Sequence, residues 1–156
     1  MYRLTNSFPY LLNRVGVRMG ELFSRRIAGH GVTLPMYRVM AALWESGDQR
    51  LGDLAAVTSI ELSTLSRLVG AMKRKGLVTR TRLKDNARTV AINLTARGKV
   101  LVEELIPLAM HFEEVAVREF SARETSELKA ALQTIYVSLN SIEPEIAEAD
   151  ERRRSR

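Results

Sequence analysis

The stretch LGDLAAVTSIELSTLSRLVGAMKRKGLVTRTRLKDNARTVAINL, residues 51–94, decides the fold. Leu51, Leu54 and Ala55 recur at helical spacing, Thr58-Ser59 breaks the pattern, and a longer helix is expected over 62–75 with Gly76 as its C-cap. Two helices joined by so short a turn form a helix-turn-helix. Residues 77–82 then alternate outward and inward, Lys84, Asp85, Asn86 and Ala87 supply turn chemistry, and 88–94 alternates again with Val90, Ile92 and Leu94 on one face. Helix, turn, helix and hairpin make a winged helix-turn-helix lobe, expected over 33–95.

Stepping 100° per residue from Leu62 sends Leu62, Leu65, Leu68, Val69 and Met72 to the core side. The opposite side carries Ser63, Arg67, Gly70 and Arg74, flanked by Thr64, Ser66 and Ala71. Short side chains near the N-terminus let a backbone approach closely, and arginine can grip guanine O6 and N7 while serine or threonine reaches bases or phosphates. Lys73 and Lys75 point elsewhere and suit the phosphate backbone, which adds affinity without sequence information. The hairpin adds Arg80, Arg82, Lys84 and Arg88 around a turn that can project to the minor groove beside the major groove that the helix enters. The charge agrees: 50–99 holds eleven Lys+Arg and three Asp+Glu, whereas the rest holds thirteen against fifteen. Such a basic module is the footprint of a protein that meets a polyanion, although a helix surface of this kind also occurs as a merely solvated face.

Around this lobe the chain reads as helical. A first helix is expected over 9–28, with Leu11, Leu12, Val15, Met19, Leu22, Phe23 and Ile27 on one side. Gly16 and Gly20 border that stripe, either admitting a close neighbour or weakening the helix. Thr33 and Pro35 open a second helix that ends near Gly47, its core stripe being Met36, Val39, Met40 and Leu43. Thr95 caps a long helix through Ala116 that Pro107 should kink, and Ser121-Ala122-Arg123-Glu124 is a capping box starting a last helix in which Leu128, Ala131, Leu132, Ile135, Tyr136 and Leu139 repeat at helical spacing. The terminal helices, 8–32 and 96–142, carry more apolar surface than they can cover alone, which points to association across a two-fold axis. Residues 143–156 read as a frayed, flexible tail.

The 156 residues hold no cysteine, which excludes disulfides, thiolate metal sites and thiol-based redox sensing. No run approaches the roughly 18 apolar residues of a membrane span, so a cytoplasmic address is expected. Catalysis finds little support: His30 and His111 are the only histidines, with no local Ser/Asp partner, no metal motif and no glycine-rich phosphate loop, so neither cofactor nor metal is expected. Phe23, Tyr37, Met40, Trp44 and Met110 serve as core on the simpler account, or line an apolar cleft in which Arg18 or Arg26 meets a carboxylate.

Leu51-Gly52-Asp53-Leu54-Ala55, Leu65-Ser66-Arg67-Leu68-Val69, Lys75-Gly76-Leu77-Val78, Asn86-Ala87-Arg88 and Leu94-Thr95-Ala96-Arg97-Gly98 together resemble the MarR family of bacterial transcription regulators. Asn86 stands where the family's wing pattern, Asp-x-Arg, has aspartate. The resemblance implies one MarR-like domain over 1–156, and an obligate homodimer that binds a palindromic DNA operator and usually represses. It also implies a small-molecule effector held between the dimer helices and the DNA-binding lobe. Two other readings use the same residues: an architectural DNA binder without an effector, and a helical interaction module whose basic patch meets an acidic protein.

Overall fold

The computed structural model describes residues 2–83 and 86–154, with side chains given outside 82–89. The chain divides into two compact units, Met1–Glu113 and Glu114–Arg156.

In the first unit α1 spans Phe8–Ile27 and α2 spans Leu34–Ser46. Thr33 caps α2 by accepting a hydrogen bond from the Met36 N–H at 3.4 Å, and Gly47 ends it at φ 72°, a conformation that suits glycine. The winged helix follows as expected: α3 (Leu51–Thr58), α4 (Leu62–Arg74), β2 (Val78–Leu83) and β3 (Asn86–Leu94). Between α3 and α4 the chain turns at Ser59 in the left-handed region, φ 53°, while the buried Thr58 hydroxyl donates to the Leu54 carbonyl. A two-residue strand β1, Gln49–Arg50, joins the far side of β3, so the sheet runs β1-β3-β2, antiparallel throughout. Two residues are too few to show a period. The expected turn is also shorter: Asn86 already pairs with Leu83 and Ala87 lies in β3, while Lys84 and Asp85 lie outside the described residues.

The core is built from Ile27 of α1, Val39 and Met40 of α2, Leu54 of α3, and Leu65, Val69 and Met72 of α4. Val78 and Ile92 of the sheet, with Val102 and Leu105 of α5 (Ala96–Ala116), complete it. Leu62 was expected inside but is 51% exposed, because it opens the first turn of α4 beyond the edge of the core, against which Ile60 packs. The N-terminal half of the α1 stripe, including Leu11, Leu12 and Val15, also faces outward. Pro107 lies inside α5, which continues through it as one helix.

The second unit contains α6 (Ala122–Leu139) and α7 (Glu143–Arg154). The Ser121–Glu124 capping box forms in both directions, with the Ser121 N–H donating to Glu124 at 2.8 Å. Residues 143–154 are helical rather than frayed. Acidic Glu143 and Glu145 at the start and Arg152–Arg154 at the end match the helix dipole, and Arg152 pairs with Glu148 one turn back. Neither helix buries a residue, and Leu128, Leu132, Tyr136 and Leu139 leave an exposed apolar stripe on α6. Among the described residues no helix is long and apolar enough to cross a membrane.

Candidate nucleic-acid interface

The outer face of α4 is exposed at Ser63, Thr64, Arg67 and Arg74 and half-buried at Ser66 and Gly70, and Lys73, off this face on the wheel, is exposed as well. At its N-terminus the Glu61 carboxylate is the cap. Oε1 accepts from the Ser63 N–H at 2.9 Å, and Oε2 accepts from the Thr64 N–H at 2.9 Å and from the Ser63 hydroxyl. These bonds, led by that from the Ser63 hydroxyl, lower the Glu61 pKa to about 2. Sequence reasoning passed over Glu61 because it looks for a cap among Ser, Thr, Asp and Asn. Along α4, Arg67 Nε donates to the Ser63 carbonyl at 3.5 Å, and the Arg74 guanidinium lies over Gly70.

The wing is fastened to this helix by Arg80, whose Nη2 donates to the Ser66 carbonyl at 3.0 Å. Across the sheet, the Asn93 side-chain amide donates to Asp48 Oδ2 at 2.7 Å and its oxygen accepts from the Thr81 hydroxyl at 3.0 Å, joining the approach to β1 with β3 and β2. Arg82 lies on β2 opposite Val90, and Arg88 lies on β3. Lys84 is outside the described residues. Lys75 Nζ donates to the Gly31 carbonyl at 3.1 Å in the turn before α2.

The C-terminal end of α4 is bolted to the start of α5. Gly76 turns at φ 69°, and the Leu77 N–H donates back to the Met72 carbonyl. The Thr95 hydroxyl donates to the Gly76 carbonyl at 2.6 Å and accepts from the Gly98 N–H at 2.9 Å, while the Thr95 N–H donates to the Leu77 carbonyl at 3.1 Å. A Cβ on Gly98 would stand 2.1 Å from the Leu77 carbonyl oxygen, so only glycine fits.

Still within the first unit, a cavity of about 280 Å³ opens between α1, α2 and α5. Phe23, edge-on to Tyr37 at 4.8 Å and to Phe112 at 5.5 Å, forms its floor. Gly16 and Gly20 line it, so the glycine pair makes room there; a Cβ on Gly20 would press on Leu34 at 3.2 Å. Burial raises the Tyr37 pKa, so its phenol stays protonated and able to donate. Of the residues expected at an effector site, Phe23 and Tyr37 meet here and the others do not. Met40 is sealed in the core, while Trp44 and Met110 are exposed and lie off the cavity. Arg18 pairs with Glu21 at 3.3 Å on another face of α1, and Arg26 is exposed elsewhere. Arg38 is the cation at the rim. Wheel positions cannot show which side chains of separate helices meet, and Phe112 and Arg38 were passed over for that reason.

The MarR family model matches residues 32–90, the segment from just before α2 into β3. Over this segment the chain is similar to the MarR family. Among curated proteins it is 25% identical to the organic hydroperoxide resistance transcriptional regulator of Bacillus subtilis over 138 residues, covering 88% of this chain and 92% of that one. Among solved structures it is similar to the MarR family regulator SPO1453 of Silicibacter pomeroyi (TM-score 0.76, 26% identity, 89% of this chain and 99% of that one). It is also similar to Bordetella bronchiseptica BpsR, described by its regulation of DNA binding by 6-hydroxynicotinic acid (TM-score 0.79, 24% identity, 87% and 97%). These relatives are regulators and not enzymes, and the likeness places this chain with DNA-binding transcriptional regulators.

Proposed function

We propose that this regulator is a homodimeric repressor that reads a palindromic operator with α4 of each protomer and releases it when a small acid enters the cavity beside Phe23. The exposed face of α4 carries the reading. Arg67 takes a guanine edge, Ser66, Gly70 and Thr64 allow close approach, and Lys73, Arg74 and the wing residues Arg82, Lys84 and Arg88 hold phosphates or the minor groove. Ser63 contributes only as an acceptor, because its proton is directed at Glu61.

Dimerisation is supported by the outward stripe Phe8, Leu12, Val15 and Met19 on α1 and by the α6 stripe, each too apolar to be left in water. The effector reading is supported by the cavity, whose aromatic floor suits one ring and whose Tyr37 hydroxyl and Arg38 suit a carboxylate. The ligand named for BpsR is of that class. The name of the Bacillus subtilis relative refers to organic hydroperoxide, but with no cysteine in this chain a peroxide response has no thiol to act through.

Footprinting on the DNA flanking its own gene tests this reading. Two protected half-sites about 10 base pairs apart are expected, with release by benzoate or nicotinate but not by mild peroxide. A single unrepeated half-site would contradict the dimer, and binding indifferent to both acids would contradict the effector assignment.

A further inference from the structure

We infer that Glu61 is a specificity-determining residue, whose carboxylate accepts a hydrogen bond from the exocyclic amino group of one cytosine in each half-site. This rests on the reading of α4 as the recognition helix.

A recognition helix presents its N-terminal residues to base edges, and in this chain that tip is headed by the Glu61 carboxylate and by a Ser63 hydroxyl whose proton is already committed to it. Glu61 Oε1 accepts one hydrogen bond, from the Ser63 N–H, and keeps a second lone-pair site open. Oε2 is filled by the Thr64 N–H and the Ser63 hydroxyl. Because the Ser63 hydroxyl spends its proton on Glu61, it too can only accept outward. The Ser63 and Thr64 N–H groups, which could otherwise take a DNA phosphate at the helix N-terminus, are already occupied. Glu61 is fully exposed and stays ionised at any pH at which duplex DNA is stable.

The anionic, acceptor-only Glu61 carboxylate is repelled by phosphates and by the acceptors guanine O6 and N7 and thymine O4. In the major groove the only donors are the amino groups of cytosine and adenine. The adenine amino group is flanked on both sides by acceptors, N7 and the paired thymine O4. The cytosine amino group has only guanine O6 on one side and a C–H on the other, so a carboxylate meets less repulsion there.

The test measures Kd for every single-base-pair variant of the mapped operator, and for random DNA, with the parent protein, Glu61→Gln, Glu61→Asp and Arg67→Ala. The parent should prefer cytosine over thymine at one position per half-site by roughly tenfold. Glu61→Gln keeps an oxygen to cap α4 but loses the charge, so this preference should fall below about threefold. The same variant should bind random DNA more tightly, with a steeper salt dependence, because a phosphate-repelling charge has gone. Glu61→Asp keeps both cap and charge but draws the carboxylate back by one methylene, and it should also lose the preference while retaining the parent melting temperature. Uniform weakening on all DNA, as loss of a cap alone would give, would overturn the inference, as would an unchanged base ranking or a preference for adenine. If Arg67→Ala alters a base preference and the Glu61 variants do not, this inference fails and the reading of α4 stands; if none alters any, the reading of α4 fails as well.

Discussion

Replacing Gly98 by alanine is expected to destabilise the fold by about 3 kcal/mol or more, lowering the melting temperature by roughly 10 °C. The added methyl would sit 2.1 Å from the Leu77 carbonyl oxygen and 3.1 Å from its carbon, both backbone atoms that cannot rotate away. Relief requires α5 to lift from the turn after α4, which breaks the Thr95 bonds to Gly76 and Leu77. Gly52→Ala is the control: nothing lies within 4 Å of a Cβ there and the residue is helical, so this variant should be neutral or more stable by up to about 1 kcal/mol. Thermal denaturation of the two variants checks both signs, and a Gly98→Ala protein as stable as its parent would show that the α4–α5 junction yields. Because the junction ends α4, whatever melts it also loosens the outer face of that helix.

If the proposed dimer forms through this stripe, Val15→Glu should make the protein a monomer and lower operator affinity by at least roughly 100-fold. Within one chain Val15 is 56% exposed in the stripe with Phe8, Leu12 and Met19, so a carboxylate there meets water and costs the protomer little. Across a two-fold axis the same carboxylate would be buried, twice, against apolar side chains without a partner. Two linked heads gain two to four orders of magnitude from effective concentration, and a monomer forfeits that gain. Val17→Glu, on the other side of α1 beside Asn13 and Arg14, should change neither mass nor affinity. Sedimentation at micromolar concentration decides the matter: a Val15→Glu dimer, or a monomer of undiminished affinity, would contradict the assignment of this surface.

The winged helix was legible because its evidence is local. Leu65, Val69 and Met72 recur at helical spacing and bury together, Gly76 adopts the left-handed turn its position suggests, and Ser121 and Glu124 close a box within four residues. What could not be read depends on meetings between distant segments. Strand β1 exists because Gln49 and Arg50 fall beside Ile92 and Ala91, not because two residues favour a strand. Arg80 gives no sign in sequence that it will reach Ser66, nor Lys75 that it will close on Gly31. The cavity was anticipated through Phe23 and Tyr37, but its wall was completed by Phe112 and its rim by Arg38. The reason for Gly98 was likewise hidden, since the Leu77 carbonyl lies twenty-one residues away in the chain.

The central claim, that the outer face of α4 reads base sequence, is tested most directly by comparing Arg67→Ala with Lys73→Ala on the operator and on random DNA. Both residues are exposed on the same helix, and removing either deletes one positive charge. Arg67→Ala should cost roughly 1 to 3 kcal/mol on the operator and relax the preference at one base position per half-site, whereas Lys73→Ala should weaken all sequences alike and lower the salt slope by about one. Equal losses on operator and random DNA for both variants would show that α4 holds the DNA without reading it.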